Sequence, residues 1–317
     1  MTQFVIRRLV QSLVVLIVVT IIVFSILHFL PGSPARAILG IHATPGAIRA
    51  FNAANGYNHA LPMQYLLYLD HLLRGNLGFS YHLDQSVRSL LALDLPKSAL
   101  LVGLSYVIAL VLAIPIGTVQ ALRRHKAVDH TFTTASLIGY SMPTFWLGIL
   151  LIVAFSAHLH LFPSEAPQGA TVGAALQQPS ALVLPVATLT IVTVAQFSRF
   201  MRSSAIDNLL QDYIRTARAK GVPGRQVVYR HLLRNSLLPI VTLVGLSLPS
   251  VLSGAIVVEA LFNYPGMGWL FWQAAGAHDY PVLMGFTVVV GAATVIGNLL
   301  ADLTYAALDP RIRLHST

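Results

Sequence analysis

Residues 213–239 read YIRTARAKGVPGRQVVYRHLLRNSLLP, a basic, polar, helix-prone stretch set between two long apolar runs. It predicts a short helix over 215–220, a break at Gly221-Val222-Pro223-Gly224, and a second helix over 225–235. Glycine at a helix end adopts φ > 0 without steric penalty, and proline cannot continue the ladder before it. Two short helices beside a membrane are placed to touch a soluble partner. A positively charged loop that only sets topology fits the same composition.

The apolar runs on either side fix the class of protein. Hydrophobic residues make up 56% of the 317, charged residues only 10%, and mean hydropathy is +0.71. A soluble chain of this size needs far more charge to cover its surface. The chain therefore reads as an all-α polytopic membrane protein. Its net charge of +9 is distributed as a topology signal, facing membrane lipid rather than nucleic acid. There is no cysteine, so thiolate chemistry and disulfides are absent.

Six spans are expected, near 9–30, 100–122, 131–157, 181–197, 237–258 and 282–301. The first follows Arg7-Arg8 and is too long for a signal-peptide core, so it is read as a retained helix ended by Pro31-Gly32-Ser33-Pro34. Pro115, Pro143, Pro185 and Pro249 lie inside spans two to five and predict kinks. Residues 31–97 form a long polar excursion, within which 61–73 (LPMQYLLYLDHLL) reads as an amphipathic helix near the membrane surface.

Orientation follows from lysine and arginine. Arg123, Arg124 and Lys126 lie between spans two and three, and Arg199 to Arg234 supply eight more between spans four and five. Arg7, Arg8, Arg311 and Arg313 flank the ends, whereas loops 158–180 and 262–281 have neither residue. Both termini are thus expected in the cytoplasm. The division is 1–97 (first span and outer loop), 98–307 (five-helix core with a basic loop at 212–239) and 308–317 (cytoplasmic tail).

Catalytic signatures are missing. There is no phosphate-binding Gly-x-x-x-x-Gly-Lys-Ser/Thr loop, no His-Glu-x-x-His and no Gly-x-Ser-x-Gly. His158 and His160 have no evident third metal ligand. Asn298, Asp302 and Tyr305 share one helix face near the cytoplasmic end of the last span. A carboxylate there either marks a path or bonds a neighbouring helix. Glu259, at the outer end of span five, is either a gate or docking contact or a helix-end carboxylate in water. With no ATPase motif, ATP-driven transport needs a separate ATPase, and the basic loop is where it would push.

Several runs, in order along nearly the whole chain, resemble the first (B-type) permease of the dipeptide/oligopeptide/nickel class of ATP-binding-cassette importers. They are the N-terminus through Pro31-Gly32-Ser33-Pro34-Ala35, Arg74-Gly75-Asn76-Leu77-Gly78-Phe79-Ser80, Ser141-Met142-Pro143-Thr144-Phe145, DYIRTARAKG at 212–221, VVEALFNYPGMG at 257–268 and NLLADLTYAALDPRIR at 298–313. The resemblance implies a type I importer permease (MetI-like) fold. It implies a coupling helix that fits a groove on an ATPase, carried here by Arg215, Thr216, Ala217, Arg218, Ala219, Lys220 and Gly221. The family's Glu and first Ala are replaced by Arg215 and Thr216. Small Ala217, Ala219 and Gly221 are expected to let the backbone approach that partner, with Arg215, Arg218 and Lys220 meeting acidic groove residues. Pro143, Glu259, Asn298 and Asp302 are the candidate gate or path residues.

The resemblance further implies a second homologous permease, two ATPase subunits or domains holding ATP and magnesium, and an extracytoplasmic solute-binding protein. This chain itself would carry no cofactor, no metal and no enzymatic activity. It would sit in a bacterial inner membrane and pass a peptide substrate, with nickel or glutathione as alternatives within the family. A self-contained secondary transporter or channel is the competing reading. It would ideally show an internal repeat, and none is clear.

Overall fold

The computed structural model describes residues 2–29, 34–40, 42–253 and 255–308, with side chains at 248–250 and 300–308 among those left out. In lipid a backbone must satisfy its own polar groups, so long apolar runs become helices. The first is α1 (Thr2–Phe29). Its expected stop lies outside the described residues except for Pro34, which opens α2 (Pro34–Leu39). α3 (Pro45–Ala54) starts on Thr44, whose side chain accepts from Ala47 N. α4 (Leu61–Leu73) has the bounds read from the sequence. A two-stranded hairpin follows, β1 (Phe79–Ser80) against β2 (Gln85–Ser86), with Phe79 opposite Ser86.

Ser86 caps α5 (Val87–Leu122), a helix of 36 residues. It begins well before the expected second span and crosses the expected boundary at 97. Asp94 and Lys97, read as loop residues, are buried within it and pair at 2.8 Å. α6 (Ala127–Ser141) and α7 (Thr144–Leu151) meet at Pro143 with a 105° bend, and a π-helical turn (Ile152–His158) prolongs α7. The expected kink is therefore a break. Pro115 and Pro185, in contrast, lie inside unbroken helices, α5 and α9.

The short α8 (Val172–Leu176) precedes α9 (Pro179–Leu209), which outruns the expected span at its C-terminal end. α10 (Asp212–Ala219) comes next. α11 (Gly224–Gln226), a π-helical stretch (Val227–Leu232) and α12 (Leu233–Ser236) then run on without a gap. α13 (Leu238–Ser253), α14 (Ile256–Leu261), α15 (Met267–Ala277) and α16 (Tyr280–Leu308) complete the chain. Among the described residues α1, α5, α9 and α16 are long and apolar enough to cross a membrane, and α6 with α7 makes a fifth if the bent pair is one span. The expected span at 237–258 is replaced by α13 of 16 residues and a separate α14.

α5 and α9 form the most extensive pair. Gly117 allows this, because a Cβ there would lie 2.6 Å from both Met201 Cβ and Ser198 O. Small residues at crossings are how membrane helices gain contact where no hydrophobic drive exists. Five hydroxyls inside the apolar helices are spent on their own turn: Thr118, Thr188, Thr193, Thr287 and Thr294 each donate to the carbonyl four residues back. α16 packs on α13 and α1. One buried cluster gathers the ends of α5 and α9 with α10 to α13, a second joins the start of α5 to α15 and α16, and a third joins α5, α9 and α14.

Candidate functional site

At the basic end of the bundle, α10 hangs below α9. Ile214 and Ala217 point into the cluster formed by Ala121, Phe197, Met201 and Ala205, together with Val227 and Leu232 of the following helix. Arg215, Thr216, Arg218, Ala219, Lys220 and Gly221 are exposed. The helix thus has one anchoring face and one exposed cationic face, on which Arg215 pairs loosely with Asp212 at 3.6 Å. Ala217 was expected to face a partner; it is 5% exposed and packs against this chain's own core. The signal was present: Ile214 and Ala217 stand three apart, the spacing of a buried helix stripe. Gly221 has φ +75° with open space around its α-carbon, so glycine is required there by backbone conformation rather than by crowding.

The platform under α10 is braced from the side. Asp129, in the first turn of α6, takes Arg202 of α9 in a bidentate pair at 2.6 and 2.8 Å, and also accepts from His125 N at 3.0 Å. Ser136 and Ser198 meet at 3.2 Å one face further along. Sequence reasoning missed this brace. A lone acidic residue after Arg123, Arg124 and Lys126 was its only local trace.

The opposite end is organised by Glu259, which is wholly buried. This overturns the reading of it as a carboxylate in water. One oxygen accepts from Ser98 Oγ (2.7 Å) and Ala255 N (3.1 Å), the other from Gly268 N (2.7 Å) and Trp269 N (3.2 Å). Ser98 Oγ accepts in turn from Met267 N at 2.8 Å. Tyr264 OH donates to Lys97 O at 2.9 Å. Burial, and after it the Glu259 charge, pushes the Tyr264 phenol well up, so it remains a donor. Four donors on two oxygens suit an ionised carboxylate, an acceptor-only group. The corner α14–α15 is thereby pinned to α5. The loop before α8 joins it through Ala166 N to Phe262 O (2.8 Å) and Gln168 Nε2 to Asn263 O (2.7 Å).

Pro143 is exposed at the α6–α7 break and Asn298 is exposed on α16, and neither is among Glu259's hydrogen-bond partners. The Asp302 and Tyr305 side chains, with Arg311 and Arg313, lie outside the described residues. Among the described residues no group of three or more His, Cys, Asp or Glu could hold a metal.

Comparison with known proteins gives a consistent result. Residues 113–314 match the family described as "Binding-protein-dependent transport system inner membrane component", and residues 1–101 match its N-terminal companion. The chain is 37% identical to the oligopeptide transport system permease protein AppB of Bacillus subtilis, over 98% of this chain and 99% of that protein. It is 34% identical to the dipeptide transport system permease protein DppB of Haemophilus influenzae, over 99% and 100%. Among solved structures, an inward-facing MetNI methionine ABC transporter superposes with a TM-score of 0.52 at 17% identity, covering 69% of this chain and 96% of that one.

Proposed function

This chain belongs to the binding-protein-dependent transport system inner membrane component family, and from that premise we propose that it is the permease subunit of an ATP-driven importer of di- and oligopeptides. The observation that carries the proposal is α10: an exposed Arg215-Arg218-Lys220 face on a helix whose other face is locked into the end of the bundle. Family and near relatives supply the transport reading and the peptide. In this reading the chain crosses a bacterial inner membrane six times, as α1, α5, α6 with α7, α9, α13 and α16. Both termini and α10 to α12 lie in the cytoplasm, a placement that the lysine and arginine distribution supports.

A second homologous permease completes the path, and two ATPases bind ATP and magnesium, which this chain does not. ATP closes the ATPases and draws the two coupling helices together. Buried Ile214 and Ala217 carry that displacement into α5 and α9. The path then opens outward to a peptide delivered by a binding protein. The shift between the two states is bounded by the difference in ATP binding free energy between them.

The test is purification of a tagged chain in mild detergent, with identification of what stays bound and ATPase measurement with peptides, glutathione and nickel added separately. Bound ATPases, a second permease and hydrolysis stimulated by peptides are expected. A homo-oligomer with no ATPase would replace this reading with a self-contained transporter, and stimulation by nickel alone would move the substrate.

A further inference from the structure

α4 belongs to the long loop between α1 and α5, yet three large apolar side chains stand on its outward face. Met63, Leu66 and Leu73 are 47%, 59% and 87% exposed. At about 100° per residue they fall within one arc of about 80°, an arc that also holds Asp70, whose carboxylate is paired with Arg74. The opposite face carries Tyr65, Tyr68 and Leu72, all partly covered. Exposed apolar faces on a helix report what they touch.

The inner face shows where α4 lies. Tyr65 OH meets Thr20 Oγ1 of α1 at 2.9 Å. Thr20 spends its one hydroxyl proton on Ile17 O at 2.8 Å, so Tyr65 is the donor. Phe24 of α1 packs edge-on against Tyr65, with ring centroids 5.4 Å apart, and lies 5.9 Å from the Tyr68 ring. α1 is apolar over Leu9–Ile26, and the sequence carries no Asp, Glu, Lys or Arg from there to Leu30. Thr20 sits about 9 Å of helix before Ile26 and Phe24 about 3 Å before it, so both lie inside the apolar stretch. A helix whose side chains reach those depths cannot stand clear of the bilayer. On the neighbouring turns of α1, Val18, Ile21 and Ile22 are themselves exposed, so the apolar surface continues from the span onto α4. Within the same arc the Asp70–Arg74 pair, 3.0 Å apart with Arg74 75% exposed, neutralises its own charge and reaches outward to headgroup level, which limits α4 to the interface rather than the acyl core.

We propose that α4 is an in-plane membrane helix whose Met63, Leu66 and Leu73 face the acyl chains of the outer leaflet. The loop is then fastened at two points: to lipid through α4, and to the start of α16 through the Ser80 hydroxyl donating to the Asp279 carboxylate.

The absence of cysteine makes the test clean. Leu66→Cys and Leu73→Cys, with Met63→Cys as a further position should either fail to fold, are spin-labelled in the assembly that copurifies with the chain and placed in lipid nanodiscs. Collision with oxygen is compared with collision with a water-soluble nickel chelate. Val18→Cys serves as the lipid reference and Gln85→Cys as the water reference. The expected result is an oxygen-to-nickel ratio at 66 and 73 close to that at 18 and severalfold above that at 85. Ratios matching 85 would overturn the proposal. So would shielding from both reagents, which would mean that a second permease covers the face. Labelling of Gln85→Cys in intact cells by an impermeant maleimide fixes the leaflet. No labelling from outside would overturn the outer assignment and the proposed topology together, while the nanodisc ratios would still decide insertion.

Discussion

Ala217 and Ala219 stand two apart on α10 and call for opposite outcomes. Ala217 touches the buried cluster under α9, so Ala217→Leu overpacks it and should cost about 2 kcal/mol, read as a lowered Tm of the purified chain. Ala219 is exposed. Ala219→Leu should leave Tm in place and instead reduce the ATPase that copurifies. At the other end, Glu259→Ala leaves Ser98 and three backbone N–H groups without their acceptor, at a cost of about 3 kcal/mol or more. Glu259→Gln should be milder, since only one oxygen's donors then meet an amide N–H instead of an acceptor. A thermal-unfolding series of the two variants checks the order. Gly221 was readable from the chain because glycine next to Val-Pro has a local reason. Glu259 was not, because Ser98 arrives from α5, 161 residues away, and the nearby N–H groups of Ala255, Gly268 and Trp269 reach it only once the α14–α15 corner has turned.

For elements, the brace between α6 and α9 is the contact to measure. Asp129 is nearly buried while Arg202 keeps about a quarter of its surface exposed, so Asp129→Ala or Arg202→Ala should each cost about 2 kcal/mol. The double variant should cost little more than either one, and a double-mutant cycle on unfolding measures the shortfall. Gly117→Leu should be worse, because backbone of α9, not a flexible side chain, stands 2.6 Å from the added Cβ. Element bounds were legible where the chain punctuates itself: α4 ends at Arg74-Gly75, and α10 ends before Gly221. They were not legible at α5. Asp94 and Lys97 look like loop residues until their mutual pairing removes the cost of placing them in a helix. The short α13 escaped for a different reason: Ser253-Gly254 does mark the break before Ile256, but the apolar run on both sides of it reads as one span.

For the whole molecule, charge distribution carries the orientation. Cysteine introduced at Ala219 should react with an impermeant maleimide only in inverted vesicles, and cysteine at Gln85 only in intact cells. The same side for both would refute six crossings. Substituting Arg215, Arg218 and Lys220 together by Ala should weaken ATPase retention while flattening its dependence on salt, since exposed charges are screened over about 8 Å at physiological ionic strength. Hydropathy could reach the membrane class because it depends on composition, and the lysine and arginine count supplies the orientation that these labels test. Neither could reach the 105° angle at Pro143, beyond which α7 packs on α9 and α14, with Gly148 against Leu261 and Thr188.

α5, with 36 residues, is about 54 Å long, against a hydrocarbon layer of about 30 Å. It is one continuous member. Ala121 near its lower end sits in the cluster that grips α10, and Ser98, a third of the way from its upper end, holds the carboxylate of the α14–α15 corner. If the proposed coupling holds, a shove delivered at α10 needs no relay of loops to be felt at that corner, because the two grips share a single unbroken helix that runs through Pro115.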